Sequence, residues 1–203
     1  MLTTLATLKS RLAIDQANPQ YDDLLTSAIK SLSTRFDKET NRTLARTESA
    51  TFEFDPRDTE LSPPCYPIES VTKFETKSSE ATGWQEISPT PDFLIRSGCI
   101  ISLAAPFNSQ LSPLNPQLAR LTYTGGYLLP GSPPPDPPVA ACQGLPDDLE
   151  QAAIEQITFW FQNRDHLGLK TYWPTGAAYY QFATQDLLDS VKAVLNNHRR
   201  CSL

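Results

Sequence analysis

The first part of the chain carries apolar residues at helical spacing. One helix is predicted from three leucines that recur at intervals of three and four residues, Leu5, Leu8 and Leu12, with Thr3 or Thr4 as its N-cap. A second helix is predicted to restart at Asn18 and Pro19 and to run to about Asn41. Its buried face is predicted from a regular apolar stripe that consists of Leu25, Ile29, Leu32 and Phe36.

The middle of the chain alternates between apolar and polar residues, which is the period of a β-strand. At its start, Ala50, Phe52 and Phe54 are predicted to point to one face and Glu53 to the other. Further strands are predicted at 68–76, 84–87, 93–95, 100–103 and 119–124. Short strands at this spacing are typical of an antiparallel sheet. Residues 130–138 contain six prolines and are predicted to form an extended, stiff loop.

The last part returns to helical spacing. A helix is predicted to begin at residues 146–148 and to end at Gly168, with a buried face formed by Leu149, Ala153, Ile157 and Trp160, and with Phe161 beside it. A final helix is predicted after Thr184, with an apolar face that consists of Leu187, Leu188, Val191 and Leu195. We therefore predict an α+β fold, in which a four-helix bundle carries an antiparallel β-sheet lobe inserted between its second and third helices.

Charge and proline content divide the chain at the same places. Residues 1–46 have a net charge of +2, residues 47–146 of −6 and residues 147–203 of −2. Sixteen of the 18 prolines lie in the middle part, and proline interrupts helices and central strands. We therefore assign 1–46 and 147–203 to the helical bundle with a C-terminal tail, and 47–146 to the inserted lobe with its proline-rich loop.

Catalytic chemistry finds little support in the sequence. His166 follows Arg164 and Asp165 near a predicted helix end, and His198 lies beside two arginines, so neither context indicates a general base. No phosphate-binding loop, nucleophile elbow or zinc-protease motif occurs. The carboxylate pairs 22–23 and 147–148 lie at predicted helix starts, where capping and the helix dipole explain them. We predict no catalytic residue, no metal ligand and no cofactor.

The cysteines and the overall charge further narrow the class of protein. None of the four cysteines, Cys65, Cys99, Cys142 and Cys201, lies two residues from another, so we predict free thiols rather than a zinc or redox site. The net charge of −6 argues against coating nucleic acid, which needs a basic surface. An acidic surface is compatible with DNA that slides past it, because the surface repels the phosphates. The sequence predicts neither a membrane-spanning helix nor a secretory signal.

Three segments are candidate binding elements. The proline run 132–138 could be a ligand for an aromatic-lined groove, but this motif is weak, and a stiff loop is the favoured interpretation. The aromatic segment 172–182 has only Lys170 nearby, so packing or a subunit interface explains it better than base stacking. The basic tail after residue 197 is either solvated or docked on an acidic partner.

The order of these segments resembles the head-tail adaptor, or connector, family of long-tailed phages. The matching segments, in chain order, are 5–12, 22–29 leading to Asn41 and Arg42, 66–72, 121–127, 145–152, 160–164, and a helix ending at Leu195 and closed by Arg199 and Arg200. The resemblance covers nearly the whole chain, and order and spacing carry it rather than any single motif. The proline loop at 130–138 is longer than the link expected in this family.

The resemblance implies a non-enzymatic structural protein of the virion neck, assembled in the cytoplasm of the bacterial host. It implies a twelvefold homo-oligomeric ring beneath the portal protein, with the stopper or tail-completion protein on its far side and DNA passing through the lumen without specific binding. It makes the tail the portal-binding element, comprising His198, Arg199, Arg200, Cys201, Ser202 and Leu203. It makes the aromatic segment a candidate for contacts between subunits, through Tyr172, Trp173, Tyr179, Tyr180 and Phe182.

Two other functions stay open from the residues alone. One is a non-enzymatic binding module whose β lobe recognises a sugar or a peptide, with the helices as a support. The other is a small hydrolase, which lacks any recognisable motif. A glycan or peptide array would test the first of these, and a panel of hydrolase substrates would test the second.

Overall fold

The structure is a computed structural model that describes residues 1–106, 118–136, 140–164 and 186–200, and the backbone alone of 171–172 and 180–181. The chain divides into two compact units. The helical unit consists of Met1–Thr40 and Leu145–Arg199, and the β unit consists of Asn41–Gly144 and Arg200–Leu203.

The helical unit contains four described helices, which are α1 (Leu5–Arg11), α2 (Asp22–Thr40), α3 (Asp147–Gln162) and α4 (Asp189–Asn197). Helix α2 contacts α1, α3 and α4, and α3 contacts α1 and α4. Two short strands, Thr171–Tyr172 and Tyr180–Gln181, pair in antiparallel fashion. None of the helices in the described part of the chain is long and apolar enough to cross a membrane.

The first two helices follow the predicted pattern, with one correction. Thr4 is the N-cap of α1, where its Oγ1 accepts a hydrogen bond from the backbone N–H of Thr7 at 3.1 Å. The predicted stripe of α2 is buried throughout, at Leu25, Ile29, Leu32 and Phe36. The prediction that Asn18 and Pro19 start α2 is wrong, because Asn18 Oδ1 accepts the N–H of Gln20 in a separate turn and α2 begins at Asp22.

The boundaries of the last two helices also differ from the prediction. Helix α3 ends at Gln162 rather than at Gly168. The backbone N–H and the side-chain amide of Asn163 both donate to the carbonyl of Phe159, at 3.1 Å and 2.8 Å, and close the last turn. Helix α4 begins at Asp189, so Leu187 and Leu188 precede it. Predicted capping residue Thr184, together with Gly168, lies outside the described residues.

The β unit is built from nine described strands, β1 (Thr47–Phe54), β2 (Glu60–Leu61), β3 (Ile68–Lys77), β4 (Gln85–Glu86), β5 (Phe93–Arg96), β6 (Ile100–Leu103), β7 (Leu118–Gly125), β8 (Tyr127–Leu128) and β9 (Gln143–Gly144). They form an antiparallel sheet in the order β1-β7-β3-β4 and a second antiparallel sheet in the order β2-β6-β5. The pair β8–β9 is parallel, unlike the predicted antiparallel lobe. The fold is α+β with mainly antiparallel sheets.

The core of the β unit lies under one face of the larger sheet. Phe54 of β1, Phe74 of β3 and Leu121 of β7 are buried there, whereas Glu53 is exposed, as the alternation predicts. Tyr123 is also buried, and its hydroxyl accepts the backbone N–H of Cys65 at 3.0 Å. Burial raises the pKa of Tyr123 to about 12. One buried tyrosine thus ties the sheet to the segment that precedes β3.

Two further sequence expectations concern thiols and prolines. Among the described cysteines, Cys65, Cys99 and Cys142 form no disulfide bond, and Cys201 lies outside the described residues. The proline loop begins with a turn, in which the N–H of Ser132 donates to the carbonyl of Leu129 at 3.0 Å. From there to Asp136 the backbone has no regular secondary structure. The expectation of a stiff, extended loop is therefore tested only over residues 132–136.

Candidate functional site

The C-terminal tail follows α4, and Asp186 fixes the start of that helix. Its carboxylate accepts the backbone N–H of Leu187 at 2.8 Å and lies 2.7 Å from Nζ of Lys192, one turn into the helix. The guanidinium of Arg35 on α2 also pairs with it. Lys192, the Leu187 N–H and Arg35 together lower the pKa of Asp186 to about 2. The N-terminal end of α4, the helix that precedes the tail, is therefore held by a charged cluster within the helical unit.

This cluster predicts how the helical unit responds to acid. The pKa of Asp186 is lowered relative to about 3.9 in an unfolded chain, so its contribution to stability is present above that value. The contribution is lost as the pH falls from there towards about 2. Carbon-detected NMR titration should give a midpoint for Asp186 well below that of an ordinary aspartate.

A pair of lysine variants tests whether the contact with Lys192 lowers the pKa of Asp186. Lys192→Met removes the first contributor and should raise the pKa of Asp186, whereas Lys30→Met, at an exposed position on α2, should leave it unchanged. An unaltered midpoint in Lys192→Met would contradict the role of this contact.

His198 is the C-cap of α4 and is held within the helical unit. Its Nε2 lies 2.7 Å from Oδ2 of Asp148, and only 19% of the His198 side chain is exposed. The other carboxylate oxygen of Asp148 accepts the N–H of Leu149 at 2.8 Å, in the first turn of α3. An aspartate at a helix N-terminus complements the helix dipole. Asp148 therefore has a second contact besides the capping role that the sequence suggested.

Arg200 belongs to the β unit. Its guanidinium donates to the backbone carbonyl of Ser62 and lies 5.7 Å from the ring centroid of Phe52 on β1. The positive charge also lies close enough to Tyr123 to lower the pKa of that hydroxyl, against the larger effect of burial. Arg199, in contrast, is exposed. Cys201, Ser202 and Leu203 of the predicted tail lie outside the described residues.

The predicted aromatic contacts are described only in part. The backbones of Tyr172 and Tyr180 lie opposite each other in the short antiparallel pair. Their side chains, and the residues Trp173, Tyr179 and Phe182, lie outside what the structure describes. The assignment of this segment to contacts between subunits stays a prediction.

An open apolar groove on the helical unit was not predicted. It lies between α2 and α3, has a cavity volume of about 290 Å³, and is lined by Leu24, Leu25, Ala28, Ile157, Trp160, Phe161 and Arg164. Leu24 is 52% exposed, and the guanidinium of Arg164 lies 4.7 Å from the ring centroid of Phe161. Trp160, which the periodicity placed at the buried face, is instead half-buried along this groove, as is Phe161, which was predicted to lie beside that face.

The outer face of the larger sheet carries an ion network. Glu75 on β3 pairs with Lys73 at 3.0 Å and with Arg120 on β7 at 2.8 Å. The Arg120 guanidinium lies 4.2 Å from the Trp84 ring centroid, and Nζ of Lys77 lies 5.6 Å from it. Among the described residues, no group of acidic, histidine and cysteine side chains could hold a metal ion.

Comparison with known proteins shows the fold. No family model and no curated protein sequence matches the chain. A chain in the neck of an empty gene transfer agent (GTA) particle, computed with C6 symmetry, matches with a TM-score of 0.57 and 14% identity, over 98% of this chain and 89% of that one. A chain in the virion of a native GTA particle matches with a TM-score of 0.55 and 17% identity, over the same shares. A chain in the neck of a native GTA particle, computed with C12 symmetry, matches with a TM-score of 0.53, 17% identity and again the same shares. The chain thus has the fold of proteins found in these particles along nearly its entire length.

Proposed function

We propose that this chain is a structural protein of a phage-like neck, a head-to-tail adaptor that joins the portal to the stopper or tail-completion protein. The observation that carries the proposal is the likeness, over 98% of the chain, to a protein of a GTA neck. The neck structures similar to this chain were computed with C6 and C12 symmetry, which supports a ring of copies through which DNA passes. In this role the protein has no enzymatic activity and acts in the virion.

The two parts of the chain have different tasks in this proposal. Residues 1–46 and 147–203 form a four-helix bundle with the docking tail, and residues 47–146 form an inserted β lobe. The grouping of Met1–Thr40 with Leu145–Arg199 supports this assignment. The acidic charge of the lobe, a net −6 over 47–146, suits a surface past which DNA slides without binding.

The tail is proposed as the portal-binding element. Arg199 is exposed and free to meet an acidic partner, whereas His198 and Arg200 are seated on their own chain. Arginine suits this role because its planar guanidinium makes paired hydrogen bonds to carboxylates. In the ring, the aromatic segment 172–182 contacts the neighbouring subunit.

Deletion of residues 197–203 is expected to abolish portal binding while the fold stays intact. The removed residues include His198, which contacts Asp148, and Arg200, which contacts Ser62 and Phe52; these contacts are a small part of the packing of the described structure. Binding is measured by pull-down with the portal protein of the same phage, and folding by circular dichroism and thermal unfolding. A truncated chain that folds and still captures the portal would refute the tail assignment.

A matched pair of double variants separates the tail from general charge. Arg199→Ala with Arg200→Ala should weaken capture strongly, whereas Lys30→Ala with Lys38→Ala removes the same charge from exposed positions on α2 and should not. Electron microscopy of the unaltered protein bound to the portal should show a ring of copies. Images with single copies that form no ring would refute the proposed ring.

A further inference from the structure

Strand β5 lies at an edge of the smaller sheet, as far as the described residues form it. The sheet has the order β2-β6-β5, so among the described strands β5 pairs with β6 alone. The carbonyl of Asp92 accepts the N–H of Ala104 at 3.1 Å, and Leu94 lies opposite Ser102. Hydrogen-bonded and non-hydrogen-bonded pairs alternate along an antiparallel ladder. The backbone groups of Phe93 and Ile95 therefore face away from β6, towards the open side.

Two of the three apolar side chains along this edge are exposed, and the third, Phe93, is half-buried. Leu94 is 71% exposed and Ile95 is 37% exposed. Open edges in natural sheets are usually protected by charge, bulges or proline. Strand β1, an edge of the larger sheet, is protected in this way by a bulge between Thr47 and Ala50 and by exposed Glu48 and Glu53. The central residues of β5 have no such protection, which is the feature of an edge that takes a partner strand.

The sequence of β5 is complementary to itself. Asp92 precedes the strand and Arg96 ends it, with Phe93, Leu94 and Ile95 between them. If two copies pair in antiparallel fashion around Leu94, each Asp92 lies opposite the Arg96 of the other copy. Opposite charges at directly facing positions stabilise such a pair. Both side chains are exposed, and Arg96 bonds Glu60 of its own chain only at the surface.

The backbone pattern fits the same register. Pairing around Leu94 brings Phe93 of one copy opposite Ile95 of the other, and these are the residues whose N–H and C=O groups face the open side. They become hydrogen-bonded pairs, and the two Leu94 residues become a non-hydrogen-bonded pair with close side chains. Pro89 and Pro91 lack an N–H group and end the ladder before Asp92. Charge, hydrogen-bond pattern and exposure thus agree on a single register.

We propose that the β5 edge is a self-association surface, and that its occupant is the β5 strand of a second copy of this chain. The contact is two-fold symmetric, so it cannot by itself close a ring of more than two subunits. It is a separate contact of the free protein. It rests on residues 92–96 and does not depend on the proposed function.

A cysteine at the two-fold position tests the register. In Leu94→Cys the two introduced residues face each other with Cα atoms about 4.5 Å apart, the spacing of a non-hydrogen-bonded pair, which lies within the range of disulfides. Mild oxidation should give a disulfide-linked dimer on a non-reducing gel. The unaltered chain controls for the native thiols, and Leu24→Cys, exposed on α2, controls for chance collision. Cross-linking no greater than in Leu24→Cys would refute the pairing.

Charge reversal tests whether the β5 strand of a second copy pairs with this edge. Sedimentation velocity should show a concentration-dependent dimer for the unaltered chain. Asp92→Arg or Arg96→Asp alone places like charges opposite each other at both ends and should weaken the dimer by about tenfold. The double variant restores opposite charges and should recover dimerisation. A chain that stays monomeric throughout, or single variants that dimerise as well as the unaltered chain, would overturn the proposal.

Discussion

Replacing Asp22 by asparagine is expected to lower the free energy of unfolding by about 3 kcal/mol, the lower end of the cost of leaving a buried charge without its partner. The side chain of Lys9 is 2% exposed, and its Nζ lies 2.6 Å from Oδ1 of Asp22, an ion-pair contact whose angle departs from that of a hydrogen bond. Nζ also donates to the carbonyl of Gln16 at 3.0 Å. Because asparagine supplies no negative charge, the buried ammonium keeps only that carbonyl.

The neighbouring residue provides the control for this variant. Asp23 lies in the same turn of α2 and is exposed, so Asp23→Asn removes an equal charge from the helix N-terminus at a cost of about 0.5 kcal/mol. Urea unfolding followed by the helical circular dichroism signal measures both. Equal losses in the two variants would show that the ion pair with Lys9 is not the cause. Lys9→Met combined with Asp22→Asn should recover part of the loss, since both charges are then removed.

Periodicity predicted the helices and strands because each buries one continuous apolar face. Along α2 the predicted stripe is buried, at Leu25, Ile29, Leu32 and Phe36. In β1 the alternation of apolar and polar residues around Phe52 and Phe54 corresponds to the two faces of the strand. Boundaries were less predictable. Helix α2 begins at Asp22 rather than Asn18 because Asn18 bonds Gln20 locally, and an asparagine that caps a turn has the same sequence signature as one that caps a helix.

Contacts between residues distant in the sequence could not be predicted. A lysine in α1 would be expected from the sequence to be exposed to solvent. Lys9 is instead buried, because the chain folds back and brings Asp22 and Gln16 into contact with it. The aspartates at the start of α3 were explained by capping, but Asp148 also holds His198, which is 50 positions away. In the tail, the order of segments suggested a docking role, but only the fold gives Arg200 its contact with Ser62.

Gly126 occupies a position where the backbone itself leaves no room for a side chain. Its φ is +99°, a region that residues other than glycine rarely adopt. A Cβ built there would lie 2.6 Å from the carbonyl oxygen of Ala45 and 2.9 Å from Cα of Arg46. These atoms are fixed, because Tyr127 exchanges backbone hydrogen bonds of 2.8 Å with Leu44 and Arg46. Neither the strained φ nor the clash can be relieved by rotating a side chain.

Gly126→Ala is therefore expected to cost about 3–4 kcal/mol of unfolding free energy, from backbone strain and overpacking together. Gly83→Ala is the matched control, because Gly83 has a φ of +65° but no atom within 4 Å of a built Cβ. It should lose only about 1 kcal/mol, the cost of the left-handed conformation. Urea unfolding of the two variants gives the difference. Similar losses at both positions would mean that the chain around Ala45 and Arg46 shifts to admit the methyl group, and that the junction of β7 and β8 is less rigid than its hydrogen bonds indicate.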